Sequence, residues 1–329
     1  MPTELTRRFG IDHPIVQAGM GSGAGCQLAA AVSNAGALGT VGTVTRTPNQ
    51  AVSEIEATRA ATARPFAVNV VPFDWAPFAG AVIDAVIDAA PPVVTLSFGD
   101  PLPHLRRCRD AGILTLVQVQ DVAGLRAAIE GGADAVIVQG TEAGGHTGRR
   151  GTLGFVAQAL DEAGEVPVVA AGGIASGRGV AAVLAMGGAG CVMGTRFKAT
   201  EEFVGVISDK DAIVRSNGED TVFDPINDIA YGLEWPNGVL GRALRTQFTA
   251  DWNGRHDELR AKVAAMPRFG FVTELAANGT TINWAGESAA LVDAVVPASE
   301  VIERTMREAE ELLARIASML APNAIAHRL

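Results

Sequence analysis

The stretch Ala135-Val136-Ile137-Val138-Gln139-Gly140-Thr141-Glu142-Ala143-Gly144-Gly145-His146-Thr147-Gly148 decides the fold. Its first four residues form an unbroken apolar run, which reads as a buried strand. Residues 139–148 then read as a loop in which Gly140, Gly144, Gly145 and Gly148 surround one histidine. Glycine opens backbone conformations closed to other residues and lets the chain approach a ligand closely. Histidine is the side chain that exchanges a proton most readily near neutral pH. A strand that runs into such a loop is expected in a parallel α/β protein, where active-site loops gather at the C-terminal ends of the strands.

The same pattern recurs on both sides of this stretch. Short apolar or β-branched runs at 14–19, 37–42, 66–71, 93–99, 113–119, 135–140, 166–172 and 190–195 read as strands. Alanine-rich segments of helical period lie between them, among them 48–63, 78–90, 121–131 and 177–187. Asp121 reads as a helix N-cap and Gly131-Gly132 as its stop. Eight strands with helical connections predict a parallel β/α fold, and eight is the number that closes a (β/α)8 TIM barrel. The rival is a doubly wound open sheet with a glycine-rich turn after its first strand. Gly19-Met20-Gly21-Ser22-Gly23-Ala24-Gly25 has the glycines, but the second strand closes in glycine and threonine without the acidic residue such a site needs. The barrel is therefore expected.

After residue 200 the rhythm breaks. Asp224-Pro225-Ile226-Asn227, Glu234-Trp235-Pro236-Asn237-Gly238 and Trp252-Asn253-Gly254-Arg255 interrupt helical pieces such as 256–265. An amphipathic helical pattern returns over 286–316, including 301–313. The expected layout is a barrel from residues 1–200 and 286–329, closed by a C-terminal helix, with a smaller helical insertion or lid over 201–285. Residues 321–329 read as a loose tail.

Composition bounds the function. The chain has 329 residues, 48% of them apolar, enough for a large core. Its 38 glycines exceed the average usage of about 7% and suit many tight turns. A net charge of −10, no basic stripe and a single tyrosine, Tyr231, argue against nucleic acid as a partner. The three cysteines, Cys26, Cys108 and Cys191, have neither disulfide nor metal-ligand spacing and read as small buried residues. No signal core or transmembrane run is visible, so a cytoplasmic protein without a membrane partner is expected.

Barrel enzymes often bind phosphate with the loops after strands 7 and 8. Here those loops read Ala170-Ala171-Gly172-Gly173-Ile174-Ala175-Ser176-Gly177 and Met193-Gly194-Thr195-Arg196-Phe197. Bare N–H groups at glycines and at a helix N-terminus can hold a phosphate dianion, and Thr195 adds a hydroxyl. A phosphate-bearing cofactor is expected. Lys198 is poorly placed for a pyridoxal Schiff base, and no cluster suits a catalytic metal. Strand ends supply the neutral amides Gln17, Asn69, Gln118 and Gln139, which can both donate and accept along a flavin ring edge. His146 is the candidate proton-transfer group. His13, His104, His256 and His327 lie at the wrong strand end, in a helix, in the insertion and in the tail.

Pro14-Ile15-Val16-Gln17-Ala18-Gly19-Met20, residues 139–148, Ala170-Ala171-Gly172-Gly173-Ile174 and Met193-Gly194-Thr195-Arg196-Phe197 resemble the nitronate monooxygenase family, formerly called 2-nitropropane dioxygenases. FMN-dependent enoyl-acyl carrier protein reductases and some NAD(P)H:quinone reductases are close relatives of that family. The resemblance is clearest over 11–200 and extends to 241–258 and 286–313. It implies FMN at the barrel mouth, with its phosphate on Gly172, Gly173, Gly194 and Thr195. It places the ring against Ala18, Gly19 and Met20, near Asn69, Gln118 and Gln139, with Gly144 and Gly145 also at the cofactor. It gives His146 the position of the family's catalytic histidine and brings Ser288 to the pocket. Some members carry lysine where this chain has Gln118, and a neutral amide stabilises anionic flavin less. The implied reaction is oxidative denitrification of alkyl nitronates or nitroalkanes with O2. An NAD(P)H-dependent flavin reductase of enoyl thioesters or quinones, and a non-catalytic flavin-binding barrel, remain open. So does the oligomeric state, a homodimer being one option.

Overall fold

The computed structural model describes residues 1–73, 79–235 and 238–320. Eight short strands are laid side by side: β1 (Ile15–Gln17), β2 (Gly39–Gly42), β3 (Phe66–Val70), β4 (Val93–Ser97), β5 (Leu114–Val119), β6 (Ala135–Gln139), β8 (Val168–Ala171) and β9 (Gly190–Met193). The strand β7 (Gly145–Thr147) stands apart from them. The eight run parallel in the order β1-β9-β8-β6-β5-β4-β3-β2. A parallel bridge between Val16 and Leu38 joins the two ends, with Gln17 N–H donating to Leu38 O at 2.9 Å and Leu38 N–H to Ile15 O at 2.9 Å. The sheet thus closes into a (β/α)8 barrel, the predicted fold.

Strand side chains alternate between the two faces. Val16, Leu38, Ala67, Val93, Leu116, Ala135, Ile137, Val169 and Val192 form one buried cluster with Leu5 and Phe9. That cluster is the barrel interior, and its base is plugged by α1 (Glu4–Phe9). The alternate residues, such as Ile15, Val68, Val94, Val136 and Ala170, pack outward beneath the helices. Those are α2 (Cys26–Asn34), α3 (Pro48–Ala61), α4 (Ala79–Asp88), α5 (Leu102–Asp110), α6 (Val122–Glu130), α7 (Thr152–Glu162) and α8 (Gly177–Ala185). Local signals set their ends. Thr47 and Gln50 make a reciprocal cap around Pro48, and Asp121 Oδ1 accepts the Gly124 N–H at 2.7 Å. The chain leaves α6 through Gly131 and Gly132, the latter at φ 78°.

The eighth strand is followed by a single turn of helix, α9 (Thr195–Lys198), too short to cover the wall. Residues 201–285 come next and carry α10 (Ile207–Arg215), β10 (Thr221–Phe223), α11 (Ile226–Tyr231), β11 (Leu240–Leu244), α12 (Gln247–Asp251), α13 (His256–Ala264) and α14 (Gly270–Ala277). Ile226, Ile229, Phe248, Leu259 and Phe271 give this segment a core of its own. Its two strands were not anticipated. With β7 they make a three-stranded antiparallel sheet in the order β10-β11-β7. So part of the expected loop 139–148 is a strand, because β11 supplies it with a pairing edge. The chain returns through a 3-10 turn, Glu287–Leu291, and the 23-residue helix α15 (Ala298–Leu320), which packs on α8 and α2. The helical pattern expected from 286 is therefore divided. Val296 bridges Thr200, and Pro297, with no N–H to give, precedes the first turn of α15. The tail 321–329 lies outside the described residues. Among those residues no helix is long and apolar enough to cross a membrane.

Candidate active site

All eight parallel strands end at one mouth, so the candidate residues converge by topology. Ala18, Gly19 and Met20 follow β1. A Cβ on Gly19 would lie 2.3 Å from the Asn69 Cβ, so only glycine lets the first loop lie on the end of β3. Asn69 is buried and its Nδ2 donates to Ser97 Oγ at 2.8 Å and Thr95 O at 3.2 Å. Gly194 lies beside the same loop, its Cβ position 3.5 Å from Ala18 Cβ and 3.7 Å from Met20 Sδ. At the ends of β5 and β6, Gln118 Nε2 and Gln120 Nε2 both donate to Gln139 Oε1, at 3.0 and 3.1 Å. Gln17 departs from the other amides. It is 0% exposed, its Oε1 accepts the Thr40 N–H at 2.8 Å, and its Nε2 donates to Ala18 O, so it ties β1 to β2 on the outward face of the barrel wall, the face that Ile15 takes.

The two glycine-rich loops have the form a phosphate needs. Gly172 and Gly173 sit at φ 109° and 71°. Among the described residues no turn or loop carbonyl accepts the N–H of Gly172, Gly173, Gly194 or Thr195. The Thr195 hydroxyl accepts the Gly286 N–H at 2.9 Å, which fastens the returning chain to the phosphate-type loop. A Cβ on Gly144 would meet Ala285 C at 2.5 Å, whereas Gly145, at φ 70°, faces open space. Ser288 is buried in the turn after Gly286, and no hydrogen bond of the described residues joins it to the other candidates.

His146 is held more firmly than a loop residue. Its backbone pairs with Gly241 of β11. Its ring stacks on Trp235 with centroids 3.9 Å apart and planes 17° apart, and meets Trp284 at 4.8 Å. Its Nε2 lies 2.6 Å from Asp228 Oδ1 on α11. Trp235 continues outward to Phe73, stacked at 5.8 Å, and to Phe98, edge-on at 4.8 Å. Phe98 adopts φ 62°, a left-handed conformation that costs a bulky residue about 1–2 kcal/mol, and that turn aims its ring at Trp235. The aromatic wall and Asp228 were missed by sequence reasoning. They come from the insertion and from strand ends remote in sequence, and no local motif announces them.

Two cations, the partly buried Lys198 and the buried Arg242, brace the chain around the site. Lys198 Nζ donates to Asn283 Oδ1 at 2.6 Å and Trp284 O at 3.2 Å, and burial pushes its amine down to about 8. There it holds the backbone at Trp284 in place. Arg242, its basicity lowered by burial, donates from Nε to Thr141 O at 3.0 Å and from Nη1 to Thr221 Oγ1 at 3.0 Å.

Comparison with known proteins agrees with this architecture. The family described as nitronate monooxygenase matches residues 3–74 and 75–308. FabK from Thermotoga maritima superposes with a TM-score of 0.87 at 32% identity, over 97% of this chain and 100% of that one. Nitroalkane oxidase from Streptomyces ansochromogenes does so at 0.79 and 31% identity, over 95% and 99%. A (3aS,4S,5R,7aS)-5-hydroxy-7a-methyl-1-oxo-octahydro-1H-indene-4-carboxyl-CoA dehydrogenase from Rhodococcus jostii is 40% identical over 201 residues, 61% of this chain. That match spans only 56% of the dehydrogenase's own length. With the family pattern covering nearly the whole barrel and insertion, the chain belongs to the nitronate monooxygenase family.

Proposed function

We propose that the protein binds FMN at the barrel mouth and oxidatively denitrifies alkyl nitronates or nitroalkanes, consuming O2 and yielding a carbonyl compound and nitrite. The observation that carries this reading is His146, clamped at the mouth of a barrel whose two neighbouring loops present unengaged backbone N–H groups. The fit to FMN rests on this chain's own groups. The N–H groups of Gly172, Gly173, Gly194 and Thr195 suit the phosphate. The amides of Asn69, Gln118 and Gln139 suit a ring edge that both donates and accepts. Gly145 leaves open space beside the mouth, and Gly19 lets the first loop lie close against Asn69. Bound FMN would supply the electron acceptor and the route from substrate to O2.

With a neutral nitroalkane, the His146 imidazole takes the proton on the carbon that bears the nitro group. The C–H electron pair stays behind as the nitronate, and the ring becomes imidazolium. That imidazolium then faces an anion and holds it by charge. With a preformed nitronate the first transfer is unnecessary, and His146 acts only as the anchor. Trp235, Phe73 and Phe98 exclude water from one side of this exchange and offer a flat apolar wall to the alkyl part. The insertion 201–285 serves as the lid that brings Trp235 into place.

The wall is made of aromatic rings, Trp235, Phe73 and Phe98, which suit a flat conjugated group as well as an alkyl one. This favours a second reading, in which NAD(P)H reduces the flavin for an enoyl thioester or a quinone. Nitrite release and O2 uptake test the first reading. Flavin-loaded protein should produce both from a nitronate, and His146→Asn should abolish denitrification of the neutral nitroalkane. Wild-type rates for that variant on the neutral substrate would remove His146 as the base.

A further inference from the structure

We infer that Asp228, carried by the insertion and not by the barrel, is a positioning residue that holds His146 as its Nε2–H tautomer and so makes Nδ1 the nitrogen that meets substrate. The inference rests on the reading that His146 handles a substrate proton, and it specifies which atom does so.

The geometry requires a proton between the two groups. Nε2 and Oδ1 are 2.6 Å apart, the separation of a short charge-assisted hydrogen bond. An ionised carboxylate can only accept, so the hydrogen belongs to Nε2. A neutral imidazole has one N–H, which leaves the Nδ1 lone pair free. No hydrogen bond among the described residues engages Nδ1. The opposite tautomer would set a lone pair against a carboxylate whose residue is only 4% exposed and would leave that buried charge unsatisfied.

Asp228 is itself firmly placed. Asp224 Oδ1 accepts the Ile226 N–H at 2.9 Å and starts α11, and Gly232, at φ 67°, ends it. Ile226, Ile229 and Ala230 bury the remaining faces of that helix in the core of the insertion. The ring plane of His146 is set separately, by the Trp235 stack. Rotation within that plane is set by Asp228. Backbone pairing of His146 with Gly241 fixes the point from which the ring hangs. Thus the proton-transfer group grows from the barrel, while among the described residues Asp228, Trp235, Gly241 and Trp284 of the later segment orient it.

The test uses the flavin-loaded protein. In wild type, the nitrogen-15 spectrum of the His146 ring should show Nε2 protonated and Nδ1 unprotonated at a pH where the ring is neutral. In Asp228→Asn, turnover of a neutral nitroalkane should fall about 10²-fold or more, the scale of a general base made ineffective. Turnover of the preformed nitronate should fall only a few-fold, and Asp228→Glu should recover part of the loss. An Nδ1–H tautomer in wild type, equal losses on both substrates, or an undiminished neutral-substrate rate would each overturn the assignment. If wild type turns over neither substrate, the proposed function fails, while the tautomer measurement still decides the role of Asp228. The spectrum also decides it if Asp228→Asn fails to fold.

Discussion

Replacing Gly172 with alanine tests the phosphate loop through two separable effects. The first is backbone strain. Gly172 sits at φ 109°, and an L side chain there costs roughly 1–3 kcal/mol. The second is crowding. The new Cβ would lie 2.7 Å from Thr152 Oγ1 and 3.0 Å from Gly140 O. Thr152 cannot swing away freely, because its hydroxyl donates to Glu142 Oε2 at 2.7 Å and the same carboxylate takes the Thr152 N–H at the start of α7. Disturbing that cap adds about 1 kcal/mol. Gly187 is the matched control. It has φ 98°, nothing lies within 4 Å of its Cβ position, and it leads into the opposite end of β9. Gly187→Ala should therefore show strain alone. Urea midpoints converted with a common slope should place Gly172→Ala about 1–2 kcal/mol below Gly187→Ala. Only Gly172→Ala should lose bound flavin, read as the ratio of 450-nm to 280-nm absorbance after purification, roughly. Equal midpoints and equal flavin content would refute the account of this loop.

Lys198 predicts a pH effect. Burial lowers its amine from 10.5 to about 8, so between those values the unfolded chain holds a proton that the folded chain lacks. Stability attributable to Lys198 therefore rises with pH across that window, by up to about 3 kcal/mol relative to Lys198→Met. Urea midpoints of the two proteins at pH 7.5 and pH 10, roughly the ends of the window, measure the difference; a constant gap would contradict the prediction. Trp235→Ala removes a wall of the pocket as well as the plate beneath His146. KM for an aryl-substituted nitronate should rise about tenfold, with a smaller change for a short alkyl one. An unchanged KM would take Trp235 out of the substrate pocket.

The barrel was legible because its strands are short apolar runs that end in glycine or a polar residue, and each such run became a strand within a few residues of its expected bounds. The three small strands were not. Gly145–Thr147 has no β pattern of its own and is extended because Leu240–Leu244 pairs with it. The candidate residues that sequence alone picks out are those where chemistry and strand end coincide, as at His146, Gly172 and Thr195, and the fold brings them to one mouth. Gln17 shows the limit of that rule. Asn69, Gln118 and Gln139 take the inward face of their strands and reach the barrel mouth, whereas Gln17 takes the outward face with Ile15 and is engaged in tying β1 to β2. Asp228 lay beyond reach for a different reason. Its partner is 82 residues away, and the helix that carries it is six residues long with no motif around it.

In the proposed reaction, electrons enter the flavin from a nitronate. Anaerobic mixing of the yellow protein with an alkyl nitronate, and separately with NADH or NADPH, tests it most directly by the loss of flavin absorbance. Rapid bleaching by the nitronate and none by either pyridine nucleotide is the predicted result. Rapid bleaching by NADH or NADPH, with the nitronate inert, would contradict it.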